Sequence, residues 1–174
     1  HVALPLVYAF SHVYKIFLKR GLTKHLTFIA SGKLGLPDQA IMAFAMGADV
    51  INVAREAMMS IGCIQAQICH TNRCPTGVTT NNPWLVKGLD PAIKSERFYN
   101  YMKTFTKEII DITHAAAYEH PCQFTMEDVD VVMGDNNRTM SLGRTYEYAK
   151  DRVAFEGIES LLTCPYLGGN KINN

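Results

Sequence analysis

Two short apolar runs separated by one helical segment constrain this chain more than any other feature. Leu26 to Ala30 is brief, mostly apolar and carries β-branched residues, and it stops at the turn formers Ser31-Gly32-Lys33. Asp49 to Ala54 repeats that pattern. Between them Pro37 opens a helix that turns Ile41, Phe44 and Ala45 inward and halts at Gly47. Strand, helix and strand at this spacing predict a crossover connection and parallel pairing. A parallel sheet of two strands leaves both edges open and both faces to be covered. The unit is therefore expected to be a slice of a larger α/β body, either an open sheet or a (β/α)8 barrel.

A helix is predicted before the first strand, over residues 5 to 20, where Leu6, Phe10, Val13, Phe17 and Leu18 recur at three- and four-residue spacings up to Gly21. This early apolar stretch contains Pro5, His12 and Lys15, which suits neither a membrane span nor a signal peptide. With 48% hydrophobic and 19% charged residues among 174, the chain has the composition of a folded globular unit, and disorder is excluded. Seventeen basic against sixteen acidic residues leave a net charge of +1. Without a Lys/Arg-rich stretch, that balance argues against nucleic acid or an anionic membrane surface as partner. Five cysteines, three of them between positions 63 and 74, suit a reducing compartment, hence the cytoplasm, and a cysteine-ligated cofactor better than a disulfide framework. The chain opens on His1 and enters helix-like sequence at once, and it is expected to lack an N-terminal part of that larger body.

Further along, Glu56 to Cys69 is compatible with a helix, and His70 to Pro83 reads as loop. Asp90 is placed to cap a long helix with Pro91 at its first position, and Phe98, Met102, Phe105, Ile109 and Ile112 form its apolar stripe as far as His114. Thr125-Met126-Glu127-Asp128 resembles a capping box, which predicts a short helix through Val129, Val131, Val132 and Met133. Asp135-Asn136-Asn137 reads as an exposed turn that begins a peripheral tail. The expected divisions are residues 1–62 for the last βα units, 63–83 for a cysteine segment and 84–174 for a mostly helical C-terminal extension.

The cysteine segment runs Cys63-x5-Cys69-x4-Cys74-Pro75. Soft thiolates at this density suit iron–sulfur or zinc, but zinc sites favour short Cys-x2-4-Cys pairs completed to four ligands, and neither interval here has that form. A proline after the last cysteine resembles ferredoxin-type runs. If Glu56 to Cys69 is helical, Cys63 and Cys69 lie on one helical segment and the loop to Cys74 closes a cup. Three local cysteines without a nearby fourth point to a three-iron cluster. The competing reading is that they pack as small hydrophobes. His70 is an unfavoured fourth ligand, because a loop histidine more often hydrogen-bonds or faces water. Cys122 and Cys164 stand alone and are expected not to be ligands.

Two strand-to-helix turns form a second constellation. Ligands bind at the C-terminal ends of strands in α/β folds, and in barrels the last two such turns commonly hold a phosphate on backbone N–H groups. Gly32 allows close backbone approach, Ser31 offers a hydroxyl, and Lys33 and Arg55, the latter following Ala54, supply positive charge. A phosphate-bearing cofactor fits these residues, although a plain turn with solvated cations explains either loop taken alone.

At these residues the sequence resembles the FMN-binding central domain of glutamate synthase and its shorter single-barrel relatives. The matching text runs from Leu4-Pro5 through Ile29 to Lys33, Gly47-Ala48-Asp49, Gly62-Cys63 and Cys74-Pro75-Thr76-Gly77-Val78 to Lys87-Gly88-Leu89, about the first 110 residues. The resemblance implies a (β/α)8 barrel, of which this chain is about the last two strands, with FMN and a [3Fe-4S] cluster on Cys63, Cys69 and Cys74. It also implies reduction of 2-iminoglutarate, formed from 2-oxoglutarate and ammonia, to glutamate, with a donor such as ferredoxin or an NAD(P)H-oxidising subunit. Partners would then be the remainder of the barrel, on the same or another chain, the electron donor and a small-molecule substrate. The large enzymes of the family carry Asp-Gly-Gly where this chain has Ser31-Gly32-Lys33, and a Gly-Thr-Ala-like turn where it has Ala54-Arg55-Glu56. That departure resembles the stand-alone branch, so another amino-acid or imine substrate, as in N-methylglutamate synthase, is the alternative. A further one is a non-catalytic electron-transfer or scaffolding role. No catalytic residue is assigned.

Overall fold

A computed structural model describes residues 3–134 and 138–150. The chain opens with α1 (Leu6–Lys19), which follows Pro5, and continues through β1 (Ile29–Ser31), α2 (Pro37–Met46) and β2 (Val50–Asn52). The fold is α/β: β1 and β2 pair in parallel, Ile29 opposite Val50, Ala30 opposite Ile51 and Ser31 opposite Asn52. Asp49 starts the ladder. Its carboxylate accepts from the Phe28 amide at 2.7 Å, and its own amide donates to the Phe28 carbonyl at 2.9 Å.

Alternation along the strands gives the two faces of this sheet different fates. Ala30 is 2% exposed and packs with Leu34, Ala43 and Ala48, with Ile51 against them. On the opposite face Ile29 is 66% and Val50 47% exposed. One face is therefore a core and the other an apolar surface without cover among the described residues.

Helix α2 is the hub. Pro37 fits its first turn, where a missing N–H costs nothing, and Gly47 at φ +111 ends it in the left-handed conformation that glycine tolerates best. Small residues Ala40, Ala43 and Ala45 let neighbours approach closely, and Ile41 and Met46 complete a nearly all-round burial. Tyr14 of α1 stacks on Phe10 and meets Phe28, locking α1 over the end of the sheet.

After α3 (Arg55–Ser60) and a long loop comes α4 (Pro91–Ala115), whose Asp90 cap accepts from the Ala92 amide at 3.0 Å. Phe105, Ile109 and Thr113 form its buried stripe, and it packs across α2 and α3. No helix among the described residues is long and apolar enough to cross a membrane.

Two expectations are corrected. The predicted helix over Glu56 to Cys69 stops at Ser60, with Gly62 at φ +111 and Gln65 and Gln67 also at positive φ. Cys63 and Cys69 thus lie on an irregular loop, not on one helical face. The predicted helix through Val129 to Met133 is strand: β3 (Asp130–Met133) pairs antiparallel with β4 (Arg138–Ser141), followed by α5 (Leu142–Tyr146). The Thr125–Asp128 turn does form, with Asp128 Oδ2 accepting from the Thr125 amide and hydroxyl, both at 2.7 Å. It closes a single turn, because β-branched Val129, Val131 and Val132 favour an extended chain once a partner strand is available. The turn expected at positions 135–137 and residue Cys164 lie outside the described residues.

Candidate functional site

The loop after α3 gathers the three clustered cysteines. Cys63, Cys69 and Cys74 line one small cup together with the apolar Met58, Ile64 and Val78. Cys74 is buried, Cys63 half-buried and Cys69 exposed. Local interactions hold the loop. Asn72, at φ +61, receives the Thr80 hydroxyl on its carbonyl at 2.7 Å and the Asn81 amide on Oδ1 at 2.6 Å. Asn82 Oδ1 then accepts from the Trp84 amide at 2.9 Å. Gly77, at φ +82, passes so close to the backbone at Leu85 and Leu89 that a Cβ would lie 2.6 Å from the Leu85 carbonyl oxygen.

The cup favours thiolate at Cys74. The Thr76 hydroxyl lies 3.5 Å from Cys74 Sγ. That hydroxyl, with the Thr79 and Thr76 amides and a smaller contribution from the Thr79 hydroxyl, outweighs burial and lowers the Cys74 pKa to about 6. The Gln65 amide, turned inward by its positive φ, donates to Cys63 Sγ at 3.4 Å. Among the described residues no three His, Cys, Asp or Glu side chains converge on one metal ion. His70 sits in the exposed 3-10 turn Cys69–Thr71 and does not line the cup. Cys122 lies elsewhere, in the turn Pro121–Gln123, where burial raises its pKa. Its carbonyl accepts from Lys150 Nζ at 3.0 Å.

The second constellation also comes together. Ser31, Gly32, Lys33, Ala54 and Arg55 line one open trough of about 1440 Å³ at the C-terminal ends of β1 and β2, walled by Leu4, Pro5 and Leu6. A Cβ at Gly32 would lie 2.9 Å from the Leu6 Cβ, so only glycine lets α1 close this wall. Lys33 adopts φ +58, and Lys33 and Arg55 are both exposed. Asn52, which the sequence motifs did not single out, lines the trough beside them. Its signal was the period-two alternation, because the register that pairs Asn52 with Ser31 puts both on the uncovered face. The loop is propped from outside by α4, whose Tyr101 hydroxyl donates to the buried Gly35 carbonyl at 2.9 Å, and by Glu56 packed against Gly35.

Trough and cup stand at the two ends of α3, Ala54 and Arg55 before it and Cys63 after it. Six residues of helix span roughly 9 Å.

Comparison with known proteins identifies the family. A family model described as a conserved region in glutamate synthase matches residues 1–119. The chain is 41% identical over 128 residues to the glutamate synthase large subunit-like protein YerD of Bacillus subtilis, covering 74% of this chain and 24% of that protein. It is 30% identical over 143 residues to the archaeal glutamate synthase [NADPH] of Methanocaldococcus jannaschii, covering 82% and 26%. To the glutamate synthase [NADPH] large chain of B. subtilis it is 27% identical over 121 residues, 68% of this chain and 8% of that one. The chain thus spans about a quarter of the length of the first two relatives. With two thirds of its residues matched by the family model and a relative above 40% identity, the chain belongs to the glutamate synthase family.

Proposed function

We propose that this chain is the C-terminal part, about the last two strands, of an FMN-binding (β/α)8 barrel that works as a glutamate synthase-type oxidoreductase. It would reduce 2-iminoglutarate, from 2-oxoglutarate and ammonia, to L-glutamate. In this reading residues 1–62 are the last βα units, 63–83 the cluster segment and 84–174 a peripheral extension. The observation that carries it is the pairing of a three-cysteine cup with a basic, glycine-containing trough across one six-residue helix.

The residues fit the groups the reading requires. Cys63, Cys69 and Cys74 surround one apolar cup without converging on a single point. Three cysteine sulfurs around one cup are the donor set that a [3Fe-4S] cluster takes, with each thiolate on a different iron. Thr76 and the Gln65 amide already direct N–H and O–H groups at sulfur, as a negatively charged cluster demands. In the trough, Ser31, Gly32, Lys33, Ala54 and Arg55 present a hydroxyl, accessible backbone and two cations to the FMN phosphate. The bound cofactors supply single-electron transfer at the cluster and hydride chemistry at the flavin. The chain's own part is to seat the phosphate, present three cysteine sulfurs to one cup and keep water from the buried Cys74.

The uncovered face carrying Ile29 and Val50 supports a barrel interior completed by further strands, on the same or another chain. An electron donor such as ferredoxin or an NAD(P)H-oxidising subunit and a cytoplasmic location complete the proposal.

The test is iron, acid-labile sulfide and FMN content, with an EPR spectrum of the oxidised state, on the complete protein purified anaerobically. A three-iron signal with stoichiometric FMN supports the reading. Protein with neither overturns it. Turnover with 2-oxoglutarate plus glutamine, ammonia or methylamine then separates glutamate from N-methylglutamate synthesis.

A further inference from the structure

One polar atom in the cysteine cup has no assigned use. Thr79 Oγ1 is buried and makes no hydrogen bond at ordinary geometry, although its side chain already bears on Cys74 Sγ from the loop wall. Its residue lines the cup with Cys63, Cys69 and Cys74. Neighbouring threonines in the same loop are engaged: Thr80 and Thr71 donate to the carbonyls of Asn72 and Ile68, both at 2.7 Å, and Thr76 lies 3.5 Å from Cys74 Sγ. Burying a hydroxyl without a partner is costly, and a native structure that does so has usually left room for one. The cup beside it is lined by the three cysteine sulfurs and mostly apolar side chains, with Gln67 and Thr76 as the other polar ones. Thr76 is already engaged beside Cys74 Sγ, and the Thr79 side chain bears on the same sulfur, so sulfur is the acceptor this hydroxyl faces.

We propose that Thr79 donates its hydroxyl hydrogen to a sulfur of the iron–sulfur cluster on Cys63, Cys69 and Cys74, and so raises the potential at which the cluster takes up an electron. This rests on the cluster reading given above. One-electron reduction adds negative charge that is shared by the sulfurs, so an O–H dipole aimed at one of them stabilises the reduced form more than the oxidised form. The apolar surroundings strengthen that interaction, because no water competes for the sulfur or screens the dipole. Thr79 would thus tune the cluster without ligating it, in the way outer hydrogen bonds tune metal sites.

The experiment is an EPR-monitored redox titration, with dithionite as reductant, of the complete protein and its Thr79→Val, Thr79→Ala and Thr79→Ser variants. Thr79→Val keeps the shape and removes the donor, so it is expected to retain iron and sulfide with a midpoint shifted to more negative potential. Thr79→Ser is expected to recover most of that shift. An unchanged midpoint in Thr79→Val at equal iron content overturns the proposal. If Thr79→Val and Thr79→Ala lose the cluster while Thr79→Ser keeps it, the hydroxyl holds the cluster, which supports the proposal. Loss in Thr79→Ser as well assigns the effect to side-chain shape and overturns it. Wild-type protein without iron or labile sulfide defeats the cluster reading itself, and that result is visible before any variant is made.

Discussion

Replacing Gly77 by alanine probes the backbone crossing that shapes the cysteine loop. Gly77 adopts φ +82, and a Cβ there would lie 2.6 Å from the Leu85 carbonyl oxygen and 2.9 Å from the Leu89 amide nitrogen. Both are backbone atoms, so no side-chain rotation relieves the contact. Left-handed backbone costs an L-residue roughly 1–2 kcal/mol. Forcing a methyl into a filled space adds roughly 1–3 kcal/mol, for a total of about 2–5 kcal/mol. Gly21 supplies the control: it has φ +66 and nothing within 4 Å of where a methyl would stand, so Gly21→Ala is expected to cost the conformational part alone. The two variants are compared in the complete protein by chemical denaturation, with stability taken from midpoint and slope and iron measured in parallel. Gly77→Ala is expected to be less stable than Gly21→Ala by roughly 1–3 kcal/mol and to lose iron, because the same crossing positions Cys74 and Thr76. Equal stability within about 0.5 kcal/mol and full iron in both would refute the reasoning.

Cys69→Ser is expected to lower iron and labile sulfide severalfold, whereas Cys122→Ser, altered at a residue that does not line the cup, is expected to leave both unchanged; elemental analysis decides. Tyr101→Phe strips the donor from the buried Gly35 carbonyl, costing about 1 kcal/mol, and is expected to weaken FMN retention by up to about tenfold in a fluorescence titration; unchanged affinity would separate α4 from the trough. Lys150 donates to the Phe44 and Cys122 carbonyls at 2.9 and 3.0 Å, so Lys150→Met is expected to cost on the order of 1–3 kcal/mol at neutral pH. Burial lowers the Lys150 pKa against the opposing pull of Cys122 and Asp49. The unfolded chain keeps its lysine proton up to about pH 10.4, so between the folded and unfolded values it binds more protons and the Lys150 contribution rises with pH. Below both values that contribution is flat. Burial raises Cys122 and gives an opposite alkaline slope, and burial, with the charged Lys150 nearby, lowers His120. The prediction is therefore read as the difference between wild type and Lys150→Met, which should grow across that alkaline window; a pH-independent difference would contradict it.

Local signals were legible where the chain itself carries the physics. Pro37 and Gly47 bracket α2, and Asp90-Pro91 starts α4, because caps and fixed φ act through nearest neighbours. The parallel pairing of β1 with β2 followed from the length of the crossover. Val129 to Met133 reads as helix from the sequence because Thr125 and Asp128 do make a helix-like turn, and only the strand Arg138–Ser141 tips the following residues into a ladder. The helix expected as far as Cys69 stops at Ser60 because the chain turns at Gly62 and then takes left-handed conformations at Gln65 and Gln67, which no propensity favours in glutamine.

The sequence by itself determined the candidate residues for chemistry: three closely spaced cysteines, and a glycine with two cations after the two strands. Residue type and spacing suffice for that, since sulfur ligation and phosphate attraction are properties of the side chains. Only the tertiary structure decided that those cysteines share one cup, that Asn52 joins the trough, that the Thr79 hydroxyl is buried beside the cysteine sulfurs and that Tyr101 props the Gly35 loop from 66 residues away. These depend on what long-range packing brings into contact and shields from water, and neither proximity nor burial is encoded in the spacing of a local motif.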